Sequence, residues 1–101
     1  EGHNWRIYSE FIRKNHDKCL QIIEGRLREC NGQCEYPIYV KALIKRMEGR
    51  IHESLSLFQA ATCLNPQNPS NLKQVGRCLY LLGKHKAALD VYEEAEKVRS
   101  S

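Results

Sequence analysis

The residues best suited to chemistry in this 101-residue chain are five cysteines and four histidines. Cys30 and Cys34 bracket Asn31-Gly32-Gln33 at a spacing within the range of a zinc half-site. A structural zinc site needs four ligands, and no second Cys or His pair sits at matching spacing. Cys19, Cys63 and Cys78 are scattered, and an odd, scattered set does not form a disulfide framework. Cys30 and Cys34 are therefore expected to be reduced thiols beside a loop, without a metal. A catalytic role for His3, His16, His52 or His85 needs a nucleophile or carboxylate held beside it. His16 and His85 instead fall just after the turn of two related segments, so they are expected to pack. No Gly-rich phosphate loop, nucleophile motif or paired-carboxylate signature accompanies them. The chain is expected to be non-catalytic and to need no cofactor.

The elements that carry these residues repeat. Gly49 recurs 34 positions later as Gly83, Arg50 as Lys84, Ser54 as Ala88, Phe58 as Tyr92 and Ala61 as Ala95. A fixed period in this range means stacked helical units, none able to bury its apolar face alone. Such arrays hold partners.

Three units follow: a degenerate one at 1–34, a second at 35–68 and a third at 69–101. In the third, Asn68 suits an N-cap and Pro69 the first helical position. Leu72, Val75, Gly76 and Leu79 share one helical face, and Gly83 supplies the left-handed stop. Ala88, Leu89, Tyr92, Ala95 and Val98 form the next stripe. In the second, Pro37 lies in the first turn. Tyr39, Val40, Leu43 and Met47 face inward, Gly49 stops the helix, and Ser54, Leu55, Phe58, Ala61 and Leu64 follow before Asn65-Pro66. In the first, matched at 35 residues, Trp5, Tyr8, Phe11 and Ile12 form one stripe and Cys19, Leu20, Ile23 and Leu27 the other. Asn15 stands near the turn glycine and Trp5 is expected in the core.

Apolar residues make up 42% and charged residues 28%, which argues against disorder. No apolar run is long enough to span a bilayer, so direct membrane insertion is not expected. The absence of an initiating methionine suggests an excised piece, whose targeting signals would lie outside it. Sixteen Lys and Arg against twelve Asp and Glu give a formal +4. That fits an ordinary solvated surface, since nucleic-acid modules concentrate more basic charge on one face. A basic nucleic-acid-binding helical module is the rival reading.

The helix–turn–helix unit, with small residues at Gly76, Gly83, Ala88 and Ala95 around Tyr92, resembles the tetratricopeptide repeat. Ala42, Gly49, Phe58, Ala61 and Pro66 fall on the same signature in the second unit. Lys41 and Lys45 depart from it, which suggests a helix rotated or shifted by a residue. The runs Ala42-Leu43-Ile44, Asn71-Leu72-Lys73-Gln74-Val75 and Leu81-Leu82-Gly83-Lys84-His85-Lys86-Ala87-Ala88 also resemble the N-terminal repeats of the tetratricopeptide subunits of the BBSome, a ciliary trafficking coat.

The resemblance implies an all-α, right-handed α-solenoid acting as a scaffold. It implies other BBSome subunits and centrosomal or ciliary proteins as partners. It implies a cytoplasmic location near the cilium, basal body or centrosome. On the family's plan, Tyr8, Phe11, Tyr36, Tyr39, Leu43, Arg46, Lys73, Arg77 and Tyr80 line a partner groove. Aromatics mixed with Arg and Lys suit a peptide or helix carrying acidic residues. The chaperone carboxylate clamp of some family members is not implied, because its Asn positions hold Tyr8 and Val40. If another helix pair followed, Leu82 and Leu89 would lose their cover in the isolated piece. Self-association is then expected, opposed by Asp90, Glu93, Glu94, Glu96 and Lys97.

Overall fold

The computed structural model describes residues 2–101, with side chains from Asn4 onward; Glu1 and the side chain of His3 lie outside them. The described residues form six α-helices and no strand: α1 (Gly2–Ile12), α2 (His16–Glu29), α3 (Glu35–Met47), α4 (Ile51–Leu64), α5 (Pro69–Leu81) and α6 (His85–Ser100). Each helix packs on its neighbour in sequence, and α1 also meets α3.

The turn within each pair has one geometry. Lys14, Gly49 and Gly83, spaced by 35 and 34 residues, all have positive φ of 63°, 83° and 81°. The next residue then donates its N–H to the carbonyl five back: Asn15 to Glu10, Arg50 to Lys45 and Lys84 to Leu79, each at 2.9 Å. This is the Schellman closure of a helix C-terminus. The left-handed residue of the first turn is thus Lys14, not Asn15, because the first repeat is 35 residues long. Asn15 instead stands at the N-cap, just before α2, and its Nδ2 donates to Glu10 Oε1 at 2.9 Å. Asn68 caps α5 by accepting the Ser70 N–H at 3.0 Å, with Pro69 at the first helical position.

The helices of a pair cross where one residue is small or recessed. The Cys19 thiol donates to the Ile7 carbonyl at 3.4 Å. Thirty-five residues later the Ser54 hydroxyl donates to the Ala42 carbonyl at 2.7 Å. The third crossing brings Ala88 to the register of Gly76, and both are buried. Side-chain size is traded across each pair. Ile7 meets Ile23, Ala42 meets Phe58, and Gly76 meets Tyr92, whose ring lies 2.9 Å from where a Cβ would stand. Cys78 Sγ, 3.6 Å from Ser54 Oγ, extends the second crossing into the third pair. Burial pushes the Cys19 thiol up to about 11, with the nearby Glu10 charge adding to it.

Several expectations are corrected. Trp5 is 68% exposed; Ile7 and Phe11, on the adjoining side of α1, enter the core with Cys19, Ile23, Val40 and Ile44. Ile12, Met47, Leu64 and Leu89 are exposed members of their stripes. Tyr92 is 39% exposed, whereas Phe58 is fully buried. The reason is cover: α5 packs over α4, and within these residues no helix follows α6. Helix α3 is neither rotated nor shifted, since Ala42 keeps the register of Ile7 and Gly76. Lys41 and Lys45 are accommodated by reaching outward, Lys41 to Glu24 at 2.8 Å and Lys45 to Glu48 and Glu53 at 3.9 Å each. Cys30 and Cys34 form a disulfide rather than two free thiols. Asn31 and Gly32 both take positive φ, which folds the α2–α3 turn back and leaves the two Cα atoms 6.1 Å apart. Cys63 is the exposed free thiol; Cys19 and Cys78 are buried.

Candidate protein-interaction surface

The first helix of each pair carries a face of matched positions. Tyr8, Leu43 and Arg77 occupy one register, Phe11, Arg46 and Tyr80 the next, and Ile12, Met47 and Leu81 a third. All of the third set are exposed. In the second register, Phe11 stacks on His16 at 5.8 Å between ring centroids and Tyr80 on His85 at 4.6 Å. The two histidines open α2 and α6, so their repetition is a stacking role against the preceding helix. The middle pair has Ile51 there, and Arg46 turns instead over the Phe58 ring, 5.4 Å from its centroid.

The structure joins several of the sequence-derived groove residues. Arg46 Nη1 donates to Gln74 Oε1 at 2.7 Å, and Gln74 Nε2 donates to the Tyr39 hydroxyl at 3.0 Å. Tyr39 meets Phe58 edge to face at 5.3 Å. Arg46 and Tyr39 therefore build the wall between the second and third pairs. Leu43 packs half-buried on the same cluster, and Tyr36 on the Ile7 cluster, where burial raises its phenol above the ordinary range. Lys73, Arg77 and Tyr80 are exposed, as is Tyr8, which stacks on Trp5 at 6.0 Å. The open basic groups of the face thus lie on α5.

Sequence reasoning missed a polar cluster at the start of α3. Glu35 Oε1 accepts from Asn65 Nδ2 at 2.9 Å, and Oε2 accepts from Asn68 Nδ2 at 2.6 Å and Asn71 Nδ2 at 2.8 Å. Burial pushes the Glu35 carboxyl up, but the three amide hydrogen bonds outweigh it and hold it below the ordinary carboxylate range. Asn71 is fully buried, and its Nδ2 also donates to the Ala61 carbonyl at 3.2 Å. Beside the cluster opens a pocket of about 300 Å³ lined by Glu35, Tyr36, Tyr39, Asn68 and Ser70. The available signal was Asn at every third position, 65, 68 and 71, around two prolines. Among the described residues, no group of three or more His, Cys, Asp or Glu converges as metal ligands would.

No family model matches the chain. BBSome complex member BBS4 of Mus musculus is 55% identical over 98 residues, which are 97% of this chain and 19% of that protein. The chain is homologous to BBS4 along nearly its whole length. It spans about a fifth of the length of these curated relatives. The BBSome complex member BBS4 homolog of Drosophila melanogaster is 39% identical over 99 residues, again 97% of this chain and 20% of that protein. Among solved structures, the MamA R50E mutant superposes with a TM-score of 0.79 at 16% identity, covering 95% of this chain and 69% of that one. That likeness shows the fold: an all-helical tetratricopeptide-type array.

Proposed function

We propose that this BBS4-like segment is a non-catalytic scaffold of a BBSome-type ciliary trafficking coat, and that it holds partner proteins on the face of α1, α3 and α5. The partners are other coat subunits and centrosomal or ciliary proteins, in the cytoplasm near the cilium or basal body. The observation that carries this reading is the homology to a named complex member combined with a face of matched, partly exposed positions on three first helices. Tyr8, Phe11, Tyr36, Tyr39, Leu43, Arg46, Lys73, Arg77 and Tyr80 form the groove. The wall residues set its shape, while exposed Lys73, Arg77 and Tyr80 supply contacts to a partner carrying acidic residues. The nucleic-acid reading is less favoured, because Lys18, Lys41, Lys45, Arg50 and Arg99 are each committed to an acidic neighbour. No helix among the described residues is long and apolar enough to cross a membrane.

Co-purification of the chain with co-expressed BBSome subunits tests the reading. Lys73→Glu with Arg77→Glu should reduce recovery of one subunit, while Lys86→Glu should not. Equal recovery of every subunit with both variants would remove the groove assignment.

Exposed Leu89 and half-open Tyr92 also leave an apolar strip on α6. The isolated 101-residue piece should self-associate as concentration rises. Sedimentation showing a monomer throughout, with α6 ordered, contradicts that.

A further inference from the structure

The pocket at the start of α3 differs in sign from the basic positions on α5. The groups that hold Glu35 are three neutral amides, so its negative charge is solvated but not neutralised among the described residues. A carboxylate offers about four lone-pair sites. Two of the three amides use Oε2 and one uses Oε1, so Oε1 keeps an open site. Asn71 Oδ1 belongs to the amide whose Nδ2 donates to Glu35, and it is buried with no donor. This corner therefore holds more acceptors than donors. Tyr36 and Tyr39 form two sides of the pocket, and aromatic faces attract cations. Asn71 itself is buried behind the pocket, so the conditions an incoming group meets there are the open Glu35 site and the two rings. A positively charged group that only donates hydrogen bonds, an ammonium or a guanidinium, meets both.

We propose that this pocket receives one Lys or Arg side chain of a partner segment, with Glu35 as its charge partner and Tyr36 and Tyr39 as its walls. Arginine fits better than lysine, since a planar guanidinium can both donate to a carboxylate and lie against a ring. The site shares the first-helix face with the groove but does not depend on the acidic-partner reading, so either can fail alone. Taken together they set a charge order on the partner. Ser70 lines the pocket and Arg77 lies seven residues further along α5, roughly 10 Å away at the helical rise. A partner should carry a base opposite the start of α5 and an acid about that far along it.

N-acetyl-arginine amide is the probe, titrated into the isotope-labelled chain and followed by NMR, with N-acetyl-citrulline amide as the neutral isostere. The arginine probe should shift the Tyr36 and Tyr39 ring signals and the side-chain amides of Asn65 and Asn68 saturably. The citrulline probe should bind about tenfold more weakly, the loss of one charge-assisted contact. Glu35→Gln should weaken arginine binding by a similar factor, while Lys86→Ala, exposed on α6 and outside both sites, leaves it unchanged. Equal response to the two probes, or undiminished binding to Glu35→Gln, overturns the proposal. If the amide spectrum shows that Glu35→Gln does not fold, Tyr36→Leu replaces it. Severalfold weaker binding is then expected, and unchanged binding overturns the proposal equally.

Discussion

Gly76 and Tyr92 are matched in size: a Cβ on Gly76 would lie 2.9 Å from Tyr92 Cε1 and 3.1 Å from Cδ1. The glycine sits inside α5, where it costs roughly 0.5–1 kcal/mol relative to alanine. The tyrosine ring occupies the space that glycine leaves. The same trade appears as Ala42 with Phe58 and as Ile7 with Ile23, so the residue on the second helix grows from Ile to Phe to Tyr as its neighbour shrinks from Ile to Ala to Gly.

A double-mutant cycle reads this relationship. Gly76→Ala in the Tyr92→Ala background should stabilise by the helical preference alone, about 0.5–1 kcal/mol. In the parent background the displaced ring should cancel or reverse that gain. The coupling, measured by urea melts, should be at least about 0.5 kcal/mol. Additive effects would show that the ring yields without cost.

Phe58 and Tyr92 occupy equivalent positions under different cover. Phe58→Ala should cost about 3–5 kcal/mol, the range for truncating a buried aromatic. Tyr92→Ala should cost clearly less, because its ring is 39% exposed. Equal losses would mean that cover by α5 adds nothing to the core around Phe58.

What the sequence makes legible here is what repeats. The turns were readable because Gly49 and Gly83 are the residues a left-handed cap selects, and Ser54 and Ala88 because a crossing needs small side chains. Helix α1 is only partly legible: the stripe through Trp5, Tyr8, Phe11 and Ile12 overlaps a second through Ile7 and Phe11, so Phe11 is placed correctly and Ile7 is missed. Periodicity allows both, and only packing against α2 and α3 selects the second. The Glu35 cluster was not readable because its bonds join residues 30 to 36 apart. The Cys30–Cys34 bond depended on two consecutive positive φ angles at Asn31 and Gly32, a pair that signals a tight turn but not how close it brings the two thiols.

Lys14 carries the strain that glycine avoids in the other two turns. Its φ is 63°, and a left-handed residue with a Cβ costs about 1–2 kcal/mol against glycine's negligible steric cost. Glycine's extra freedom in the unfolded chain offsets part of this. Lys14→Gly should therefore raise stability by up to about 1 kcal/mol, while Lys86→Gly, inside α6, should lower it. A loss on Lys14→Gly in thermal melts would mean that the lysine side chain contributes more than its backbone costs.

Acid should loosen the joint between the second and third pairs through Glu35. Its folded carboxyl lies below the ordinary value of 4.5 because three asparagine amides outweigh the effect of burial. A group depressed on folding stabilises the fold fully above its unfolded value, and that contribution fades as pH falls from there through the folded value. Glu10 and Glu96 are depressed too, Glu10 first by Asn15 and Glu96 first by Arg99. They remain in any Glu35 variant, so their contribution cancels in a comparison. The stability gap between the parent and Glu35→Gln should thus be constant from neutrality to about pH 5 and narrow steadily below about 4.5. Urea melts of both proteins across this range measure it. A gap that stays constant to the acid limit of folding would show that the three amides hold the carboxylate no better than water does.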